Sequence, residues 1–416
     1  MSSLRTLIIA ESLPYPPLKG GDLRSWQNVN GLVTIGEVGV FGVWSKNFCK
    51  VDPPLNGLAL WRSATDCTLT YPPPKDRKIA ARAWLLDPMG HPSDLYYSDA
   101  AASEVAEIIE SFRPHVVVIE TLWLHRYVNI LKRYDCRIVL DCHNVETSVF
   151  QQIADSMSGG DLKFRLIRET LPARTKLIEQ SAVNDADQIW VCSRGDAQLM
   201  QETHKPTAQI RIIPNTIDVG RFDGVRSQKF TSLSSSLTER TIIFPGIFGH
   251  TPNAIAAEFL IEQLFPQLTA IFPDSQLLLV GSMPTPQMVA ATEMDSRIVV
   301  TGQITDIRPY LASASVMVVP LFQGGGTRFK ILEAFASGLP VISTAKGAEG
   351  LDVKNRFHLL IAETAEEFVS TVQQLWTDKS LVRYLSANAL ELVKECYSWD
   401  ISNQLIGTAI NELNSN

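Results

Sequence analysis

Three consecutive glycines precede a helical pattern in GGGTRFKILEAFASGLPVIST, residues 324–344. Glycine lets backbone N–H groups approach a ligand closely, and the N-terminus of a helix carries a partial positive charge. A loop of this kind therefore suits a phosphate or a pyrophosphate. The residues expected to contribute are Gly325, Gly326, Thr327, where the helix is predicted to begin, and the basic Arg328 and Lys330.

One carboxylate, Glu333, interrupts this otherwise apolar predicted helix. It lies about six residues from the helix start, or ~9 Å along the axis, and helical side chains lean back toward the N-terminus. Glu333 is therefore placed to bind the sugar hydroxyls of a nucleotide whose phosphates lie at the helix end. The alternative is that the glycines form a tight turn and Glu333 reaches solvent. The sequence contains neither GxGxxG with a following acidic residue nor GxxxxGK[ST], which disfavours dinucleotide and P-loop sites.

A second glycine loop, PYPPLKGGDLRSW at residues 14–26, follows the first apolar run of the chain. Gly20 and Gly21 precede a helix predicted to be capped near Asp22, where backbone amides can meet a phosphate or an acceptor oxygen. A plain surface turn would contain the same residues.

A histidine, His143, follows a buried strand pattern in LDCHNVET, residues 140–147. An imidazole there can hydrogen-bond a sugar or move an acceptor proton near neutral pH, although a single histidine is more often structural. Asn144 and Glu146 are candidates to support it or to meet the acceptor, and Glu120, at the end of HVVVIE, is a weaker candidate of the same kind.

The elements that must position these residues are apolar runs separated by helix-length segments. Runs that are apolar throughout indicate strands buried on both faces, and strand–helix alternation indicates parallel sheets. Ligands bind beyond the carboxyl ends of such strands. The predicted strands are 6–11, 37–44, 115–120, 137–142, 188–193 and 210–215 in the first half, and 241–246, 275–281, 297–302, 316–321 and 339–344 in the second.

The length of 416 residues favours two domains. Residues 218–240 are rich in Ser, Thr and charge, as in an interdomain connection. The sequence therefore predicts an α/β protein with two doubly wound domains, 1–217 and 218–395, and a final helix within 396–416 that crosses back to the first domain.

The formal net charge of −7 argues against nucleic acid as the main partner. The cysteines form no CxxC pair, so neither disulfides nor zinc are expected. The triplet DAD at Asp185–Asp187 resembles a metal-binding DxD motif, but the resemblance is interpreted as coincidence. With no predicted signal peptide or membrane span, we expect a cytoplasmic protein. Residues 163–180 carry five basic and two acidic residues with an apolar stripe. They are interpreted mainly as a helix packed on the core, with peripheral membrane contact as the alternative.

Four segments occur in the order found in retaining glycosyltransferases of family 4: RIIPNTID (211–218), FPGIFGHTPNAIAAEFL (244–260), VTGQITDIRPYLASASV (300–316) and PLFQGGGTRFKILEAFASGLPVISTAKGAEGL (320–351). The sequence resembles this family over nearly its whole length, more densely in the C-terminal half. The resemblance implies the GT-B fold, in which two Rossmann-like domains face a cleft. It also implies transfer of a sugar, with retained configuration and no metal or other cofactor, from a nucleotide-sugar donor to a glycan, lipid-linked or small-molecule acceptor.

The resemblance also implies roles for particular residues. Glu333 matches the second glutamate of the family's E-x7-E motif and would bind the ribose, and Gly325, Gly326 and Thr327 would contact the diphosphate or the sugar. By the same likeness Gln303 and Ile304 would face the base, Gly20 and Gly21 would lie under the donor phosphate, and His143 matches a strand-end histidine.

Two positions depart from the family pattern. The first glutamate of E-x7-E falls on Gly325, and the loop GIFGHTPN lacks the usual Arg and Lys. The available substitutes are His250, Asn253, Arg328 and Lys330. A GGGTR-K loop resembles a subgroup of bacterial exopolysaccharide enzymes. The alternatives are a non-transferring GT-B enzyme, such as a nucleotide-sugar epimerase, and a catalytically silent nucleotide-binding protein of the same fold.

Overall fold

The computed structural model describes residues 4–17, 19–44, 52–65, 96–156, 162–234, 240–326 and 328–415. The chain forms two compact units: Met1–Pro214 with Ser402–Asn416 is unit 1, and Asn215–Ile401 is unit 2. Unit 1 thus ends slightly before the predicted boundary at 217, and the end of the chain from Ser402 belongs to it.

Unit 1 contains a seven-stranded sheet in which every pairing is parallel. The strand order is β3-β2-β1-β4-β5-β6-β7. The strands are β1 (Arg5–Ala10), β2 (Glu37–Gly42), β3 (Leu58–Ser63), β4 (Val116–Glu120), β5 (Arg137–Cys142), β6 (Gln188–Val191) and β7 (Gln209–Ile212). Residues of β1, β4 and β5, including Leu7, Ile119 and Leu140, lie in a buried apolar core. That core holds the carboxyl ends of β1, β4 and β5 at one edge of the sheet.

The helices of unit 1 connect these parallel strands. They are α1 (Gly20–Val33), α2 (Asp99–Phe112), α3 (Val128–Leu131), α4 (Glu146–Ser156), α5 (Leu162–Asp185) and α6 (Arg194–His204), with a 3-10 segment at Leu122–Tyr127. The helix α1 therefore begins in the glycine loop after β1, and α4 begins shortly after β5.

Unit 2 contains a six-stranded parallel sheet ordered β10-β9-β8-β11-β12-β13. Its strands are β8 (Thr241–Pro245), β9 (Gln276–Val280), β10 (Ile298–Val300), β11 (Val316–Val319), β12 (Val341–Ser343) and β13 (Leu360–Ile361). Apart from the extra edge strand of unit 1, the two sheets have the same doubly wound order.

The helices of unit 2 are α7 (Asp223–Ser234), α8 (Thr251–Phe259), α9 (Phe265–Ile271), α10 (Pro286–Met294), α11 (Arg308–Ser313), α12 (Phe329–Ala336), α13 (Ala365–Thr377) and α14 (Lys379–Cys396), with a 3-10 turn at Val219–Phe222 and a π segment at Leu260–Leu264. The last helix is α15 (Trp399–Ser415). Within unit 1 it packs on α1, because Gly31 has no side chain where a Cβ would lie 2.6 Å from Ile406.

The eleven predicted strands are all present, which confirms the α/β class with two doubly wound domains. Two strands were missed. Leu58–Ser63 is only partly buried and Leu360–Ile361 is two residues long, so neither gives a continuous apolar run. The predicted interdomain connection was wrong in part, because Val219–Ser234 is mostly helical and belongs to unit 2.

Candidate functional site

The glycine loop of unit 2 connects β11 to α12. Gly324 has φ of +97° and Gly326 has φ of +85°, a region that favours glycine. The loop packs on the first turn of α8, because a Cβ on Gly324 would lie 3.0 Å from Cγ of Pro252. The helix begins at Phe329, two positions after the predicted start, and Thr327 lies outside the described residues.

Arg328 holds this loop from within. Its Nη1 donates to the carbonyl of Gly325 at 2.9 Å, and its Nη2 donates to the carbonyls of Gly324 at 3.0 Å and Lys346 at 3.2 Å. The residue is only 8% exposed. Burial lowers the pKa of Arg328, against an opposing effect of Glu349. Most of its donors are thus committed to the backbone, and the guanidinium places positive charge directly behind the glycines.

Lys330 joins the start of α12 to the start of α8. Its Nζ donates to Oδ1 of Asn253 at 3.0 Å and lies 4.2 Å from the ring centroid of Phe244. Burial, together with the charge of Arg328, lowers the pKa of Lys330 to about 7, although Glu333 opposes the shift. The amine is therefore desolvated and loses its proton near neutral pH. An anion that binds beside it would favour the charged form, because opposite charges attract.

His250 and Asn253 lie at the same helix start. His250 occupies the N-cap position of α8, and Nδ2 of Asn253 donates to the carbonyl of Ile247 at 3.0 Å. Partial burial and the charges of Lys330 and Arg328 lower the pKa of His250. The predicted substitutes for the missing Arg and Lys are thus brought together beside the glycine loop.

Glu333 is partly buried, one turn further along α12. Burial, reinforced by Asp306, raises its pKa to about 7 against the opposing charges of Arg221 and Lys330. Among the residues that the structure describes, none donates a hydrogen bond to the Glu333 carboxylate. Its oxygens are therefore open to a ligand, in contrast to those of a structural carboxylate.

Gln303 and Ile304 follow β10, at the edge of the sheet that also carries the glycine loop after β11. Gln303 is exposed and Ile304 is partly buried, directly after Gly302, which has φ of +69°. Asp306 pairs with Arg308 across 2.7 Å. The parallel order places this segment and the loops after β8 and β11 at one rim of unit 2.

In unit 1, α1 begins at Gly20, so Gly20 and Gly21 form its first turn instead of preceding it as predicted. The N-cap is Lys19, whose backbone N–H donates to Oδ2 of Asp22 at 3.2 Å, while its Nζ lies 3.2 Å from Oε2 of Glu11. The helix cap therefore lies three residues before the predicted position, and Asp22 contributes to it from the third position of the helix.

A buried polar cluster lies beneath this turn. Arg24 is paired with Asp141 of β5 through Nε at 3.1 Å and Nη2 at 2.6 Å, and Nη1 donates to the carbonyl of Ile213. Nδ2 of Asn28 donates to Asp141 at 2.8 Å and to Oε1 of Glu120 at 3.2 Å. Burial alone would raise the pKa of Asp141, but Arg24 and the neighbouring hydrogen bonds hold it well below its usual range.

His143 lies at the edge of this cluster. Its Nε2 is 3.4 Å from Oδ2 of Asp141 and 4.0 Å from Oε2 of Glu120. Burial disfavours the imidazolium, but the two carboxylates outweigh it and raise the pKa of His143. On the other side of the ring, a Cβ on Gly21 would lie 4.0 Å from Nδ1. The structure therefore brings His143 next to the glycine turn of α1, within one unit.

Asn144 and Glu146 follow His143 and begin α4. Nδ2 of Asn144 donates to Oε1 of Glu146 at 3.3 Å. Burial, with the charge of Glu179, raises the pKa of Glu146 to about 7. Glu179 of α5 accepts hydrogen bonds from the N–H groups of Glu146 at 2.8 Å and Thr147 at 3.0 Å, so it caps α4.

Two glycosyltransferase family models match the chain: "Glycosyl transferase 4-like domain" at residues 64–216 and "Glycosyl transferases group 1" at residues 239–378. This chain is a GT-B glycosyltransferase. No curated protein sequence matches it.

Solved structures support the fold of this glycosyltransferase over its full length. A sucrose-phosphate synthase from Thermosynechococcus elongatus has a TM-score of 0.73 at 18% identity, covering 99% of both chains. A glycosyltransferase from Rickettsia africae has a TM-score of 0.64 at 13% identity, covering 100% of both. The Anabaena protein HepE in complex with UDP-glucose has a TM-score of 0.65 at 10% identity, covering 98% of this chain and 100% of that one.

Three buried or capping residues around the candidate site were not predicted from the sequence. They are Arg24 and Asn28 of α1, and Glu179, which lies in the segment 163–180 interpreted as a helix packed on the core. The available signal was Asp141, an acidic residue inside the apolar run RIVLDC, which requires a buried cationic or hydrogen-bonding partner. Nothing in the sequence pointed to Arg24 as that partner.

The helix of residues 163–180 packs against unit 1. Leu171 is buried and Ile178 packs on the core, whereas Leu177 is 72% exposed. The side chains of residues 163–167 lie outside the described part of the glycosyltransferase, as do residues 45–51 and 66–95. No helix in the described ranges has the length and apolar character needed to cross a membrane.

Proposed function

We propose that this glycosyltransferase moves a sugar from a nucleotide diphosphate to an acceptor hydroxyl with retention of configuration, as in family 4. The observation that carries the proposal is the open Glu333 carboxylate, one turn along α12 from Lys330 and the glycine loop. An anion site at a helix start, followed by a hydrogen-bond acceptor on the same helix, matches a nucleoside diphosphate, whose diol lies beyond its phosphates.

In this proposal, the diphosphate lies against Gly325, Gly326 and the first N–H groups of α12. Lys330 supplies positive charge, and Arg328 holds the loop carbonyls so that the amide N–H groups can face the phosphates. His250 and Asn253 complete the phosphate side. As the bond between sugar and phosphate breaks, the leaving diphosphate gains negative charge, which this end of α12 stabilises. The acceptor oxygen bonds to the anomeric carbon on the same face, and its proton passes to the leaving phosphate.

Gly325 stands where the family pattern has its first glutamate, so this backbone does not supply a carboxylate to the donor sugar. His143 is proposed to hydrogen-bond the sugar or the acceptor instead. Asn144 and Glu146 are proposed on the acceptor side. The acceptor is proposed to be a glycan, a lipid-linked saccharide or a small molecule, and neither a metal nor another cofactor takes part in the proposed transfer.

UDP-glucose is the first donor to test, because the Anabaena HepE structure of the same fold contains it. The purified protein would be incubated with UDP-, GDP-, ADP- and TDP-sugars without acceptor, and release of nucleoside diphosphate would be measured. Slow release from one donor, with the free sugar keeping its anomeric configuration, supports the proposal. Release with an epimerised sugar would replace it by epimerase activity, and nucleotide binding without release or transfer to any supplied acceptor would favour a silent GT-B protein.

A further inference from the structure

The carboxyl of Glu120 is enclosed rather than turned toward an acceptor. Glu120 is 1% exposed, Oγ of Ser25 donates to Oε2, and Nδ2 of Asn28 donates to Oε1 at 3.2 Å. A group buried in this way acts through its neighbours. The neighbour with an open face is His143, whose Nε2 lies 4.0 Å from Oε2 of Glu120.

The remaining charges of the cluster are fixed by a close ion pair. Arg24 binds Asp141 through two nitrogens, at 3.1 Å and 2.6 Å, so these residues carry one positive and one negative charge that cancel. Among Arg24, Asp141, Glu120 and His143, the net charge is then zero when Glu120 and His143 are both neutral or both charged, and a low-dielectric interior favours these two states. These two states differ only in the position of one proton.

We propose that Glu120 and His143 hold one proton between them, either on the Glu120 carboxyl beside a neutral imidazole or on Nδ1 of His143 beside an ionised carboxylate. Nδ1 lies on the side of Gly21, away from Glu120, so the proton leaves one group to solvent and reaches the other from solvent. Its position decides whether Nδ1 accepts or donates a hydrogen bond on the side of Gly21. Nε2 lies 3.4 Å from Oδ2 of Asp141 and 4.0 Å from Oε2 of Glu120, and two carboxylates favour a hydrogen on the nitrogen nearest to them, so we assign a hydrogen to Nε2 in both states. In the neutral imidazole Nδ1 is then an acceptor, and in the imidazolium it is a donor. Glu120 is thus a positioning residue that sets the hydrogen-bonding role of His143.

The titration directions agree with this geometry. Burial, with Asp141, raises the pKa of Glu120 to about 7, while His143, Ser25 and Asn28 oppose the shift. The pKa of His143 is raised because Asp141 and Glu120 outweigh burial and Arg24. Exchange of the proton is therefore expected near neutral pH.

Two other groups adjoin His143. A charged His143 lowers the pKa of Glu146 in α4, so the two groups affect each other's ionisation. The thiol of Cys192, after β6, donates to the His143 carbonyl at 3.5 Å. Glu146 also titrates near neutral pH, so a test must separate its effect from that of Glu120.

The test is an NMR titration of the whole protein, with the ring nitrogens of His143 and the side-chain carboxyl carbon of Glu120 observed together. The wild-type signals are expected to move over a common pH range. In Glu120→Gln, which keeps the shape but removes the charge, the apparent pKa of His143 is expected to fall by about one unit or more. Glu146→Gln is expected to shift it less. Glu104→Gln, which removes a buried carboxylate of α2 outside this cluster, is expected to leave it unchanged.

Two results would overturn the proposal. One is a Glu120 carboxyl that ionises below pH 5 in the wild type while His143 titrates separately, a measurement that does not require the variant to fold. The other is an unchanged His143 titration in folded Glu120→Gln. The consequence for transfer rests on the proposed function and is tested separately: the pH profile of sugar transfer should shift with the NMR titration. If Glu120→Gln shifts the NMR titration of His143 but not the pH profile of sugar transfer, His143 takes no part in the reaction, while the proposal that Glu120 and His143 hold one proton between them still stands.

Discussion

Nζ of Lys330 lies 3.0 Å from Oδ1 of Asn253, so the first turns of α12 and α8 meet through one hydrogen bond. The amine is held over the ring of Phe244, beside a glycine loop fixed by Arg328. This arrangement keeps a desolvated amine at a helix start before any ligand arrives, and it predicts a pH dependence for the proposed donor site.

Affinity for UDP is expected to fall as pH rises from 7 to 9, by up to about tenfold per unit. Lys330 has a pKa of about 7, since burial and Arg328 lower it, and the bound diphosphate requires the charged amine. Calorimetric titrations at pH 7, 8 and 9 would measure the effect. Lys330→Met is expected to bind weakly at every pH and to lose most of this slope, and a flat wild-type profile would contradict the role of Lys330.

Glu333→Ala is expected to weaken UDP binding about 10- to 100-fold, because a charged acceptor for the ribose diol is lost. The wild type should also bind UDP more tightly than 2′-deoxy-UDP, and Glu333→Ala should lose that preference. Binding assays with both nucleotides measure the two effects. Glu262→Ala, an exposed glutamate of the π segment, is the control and should bind as the wild type does. Equal preference in Glu333→Ala and wild type would exclude the ribose contact.

His143→Ala is expected to reduce sugar transfer by about 100-fold or more while leaving UDP affinity within a few-fold. The reason is that His143 is proposed to meet the sugar or the acceptor rather than the nucleotide. Initial rates and nucleotide binding would be measured on the same preparation. His125→Ala, which removes a partly buried histidine bonded to the Leu122 carbonyl, serves as control. Full activity in His143→Ala would remove this residue from the site.

Arg24→Ala is expected to destabilise the protein by about 3–5 kcal/mol, because it leaves the buried Asp141 carboxylate without its partner. Urea unfolding at pH 7 measures the loss. Arg137→Ala breaks the more exposed pair with Asp187 and is expected to cost about 1 kcal/mol or less. Similar losses of unfolding free energy in the two variants would show that the buried Arg24–Asp141 pair stabilises the fold no more than an exposed ion pair does.

Glu146→Gln is expected to stabilise the protein at pH 8 by about 1–3 kcal/mol. Burial raises the pKa of Glu146 to about 7, above its value of 4.5 when unfolded. Ionisation therefore disfavours the folded state increasingly as pH rises from 4.5 through 7, and the penalty vanishes at lower pH. Unfolding free energies at pH 5 and 8 test the trend, with exposed Glu107→Gln as control. An equal gain at both pH values would show that charge is not its cause.

The sequence by itself determined most of the sheets, because strands buried on both faces must be apolar along their whole length. Runs such as TLIIAE and VMVVPL therefore mark β1 and β11 without any tertiary information. The sequence also predicted that Glu333, Lys330 and His143 lie near the carboxyl ends of the strands, because the loops after parallel strands lie at one edge of a sheet. The weak patterns of β3 and β13 reflect partial burial and short length, so local composition could not reveal them.

Only the tertiary structure decided which side chains meet. Asp141 and Arg24 are far apart in sequence, and their pairing depends on α1 packing across the ends of β4 and β5. The same packing encloses Glu120 and raises its pKa, a property of burial that no local spacing encodes. In unit 2, the fold turns Arg328 back onto the glycine carbonyls and leaves Glu333 open. Residue types identified the chemistry, whereas desolvation and long-range contacts assigned each group its charge and its partner.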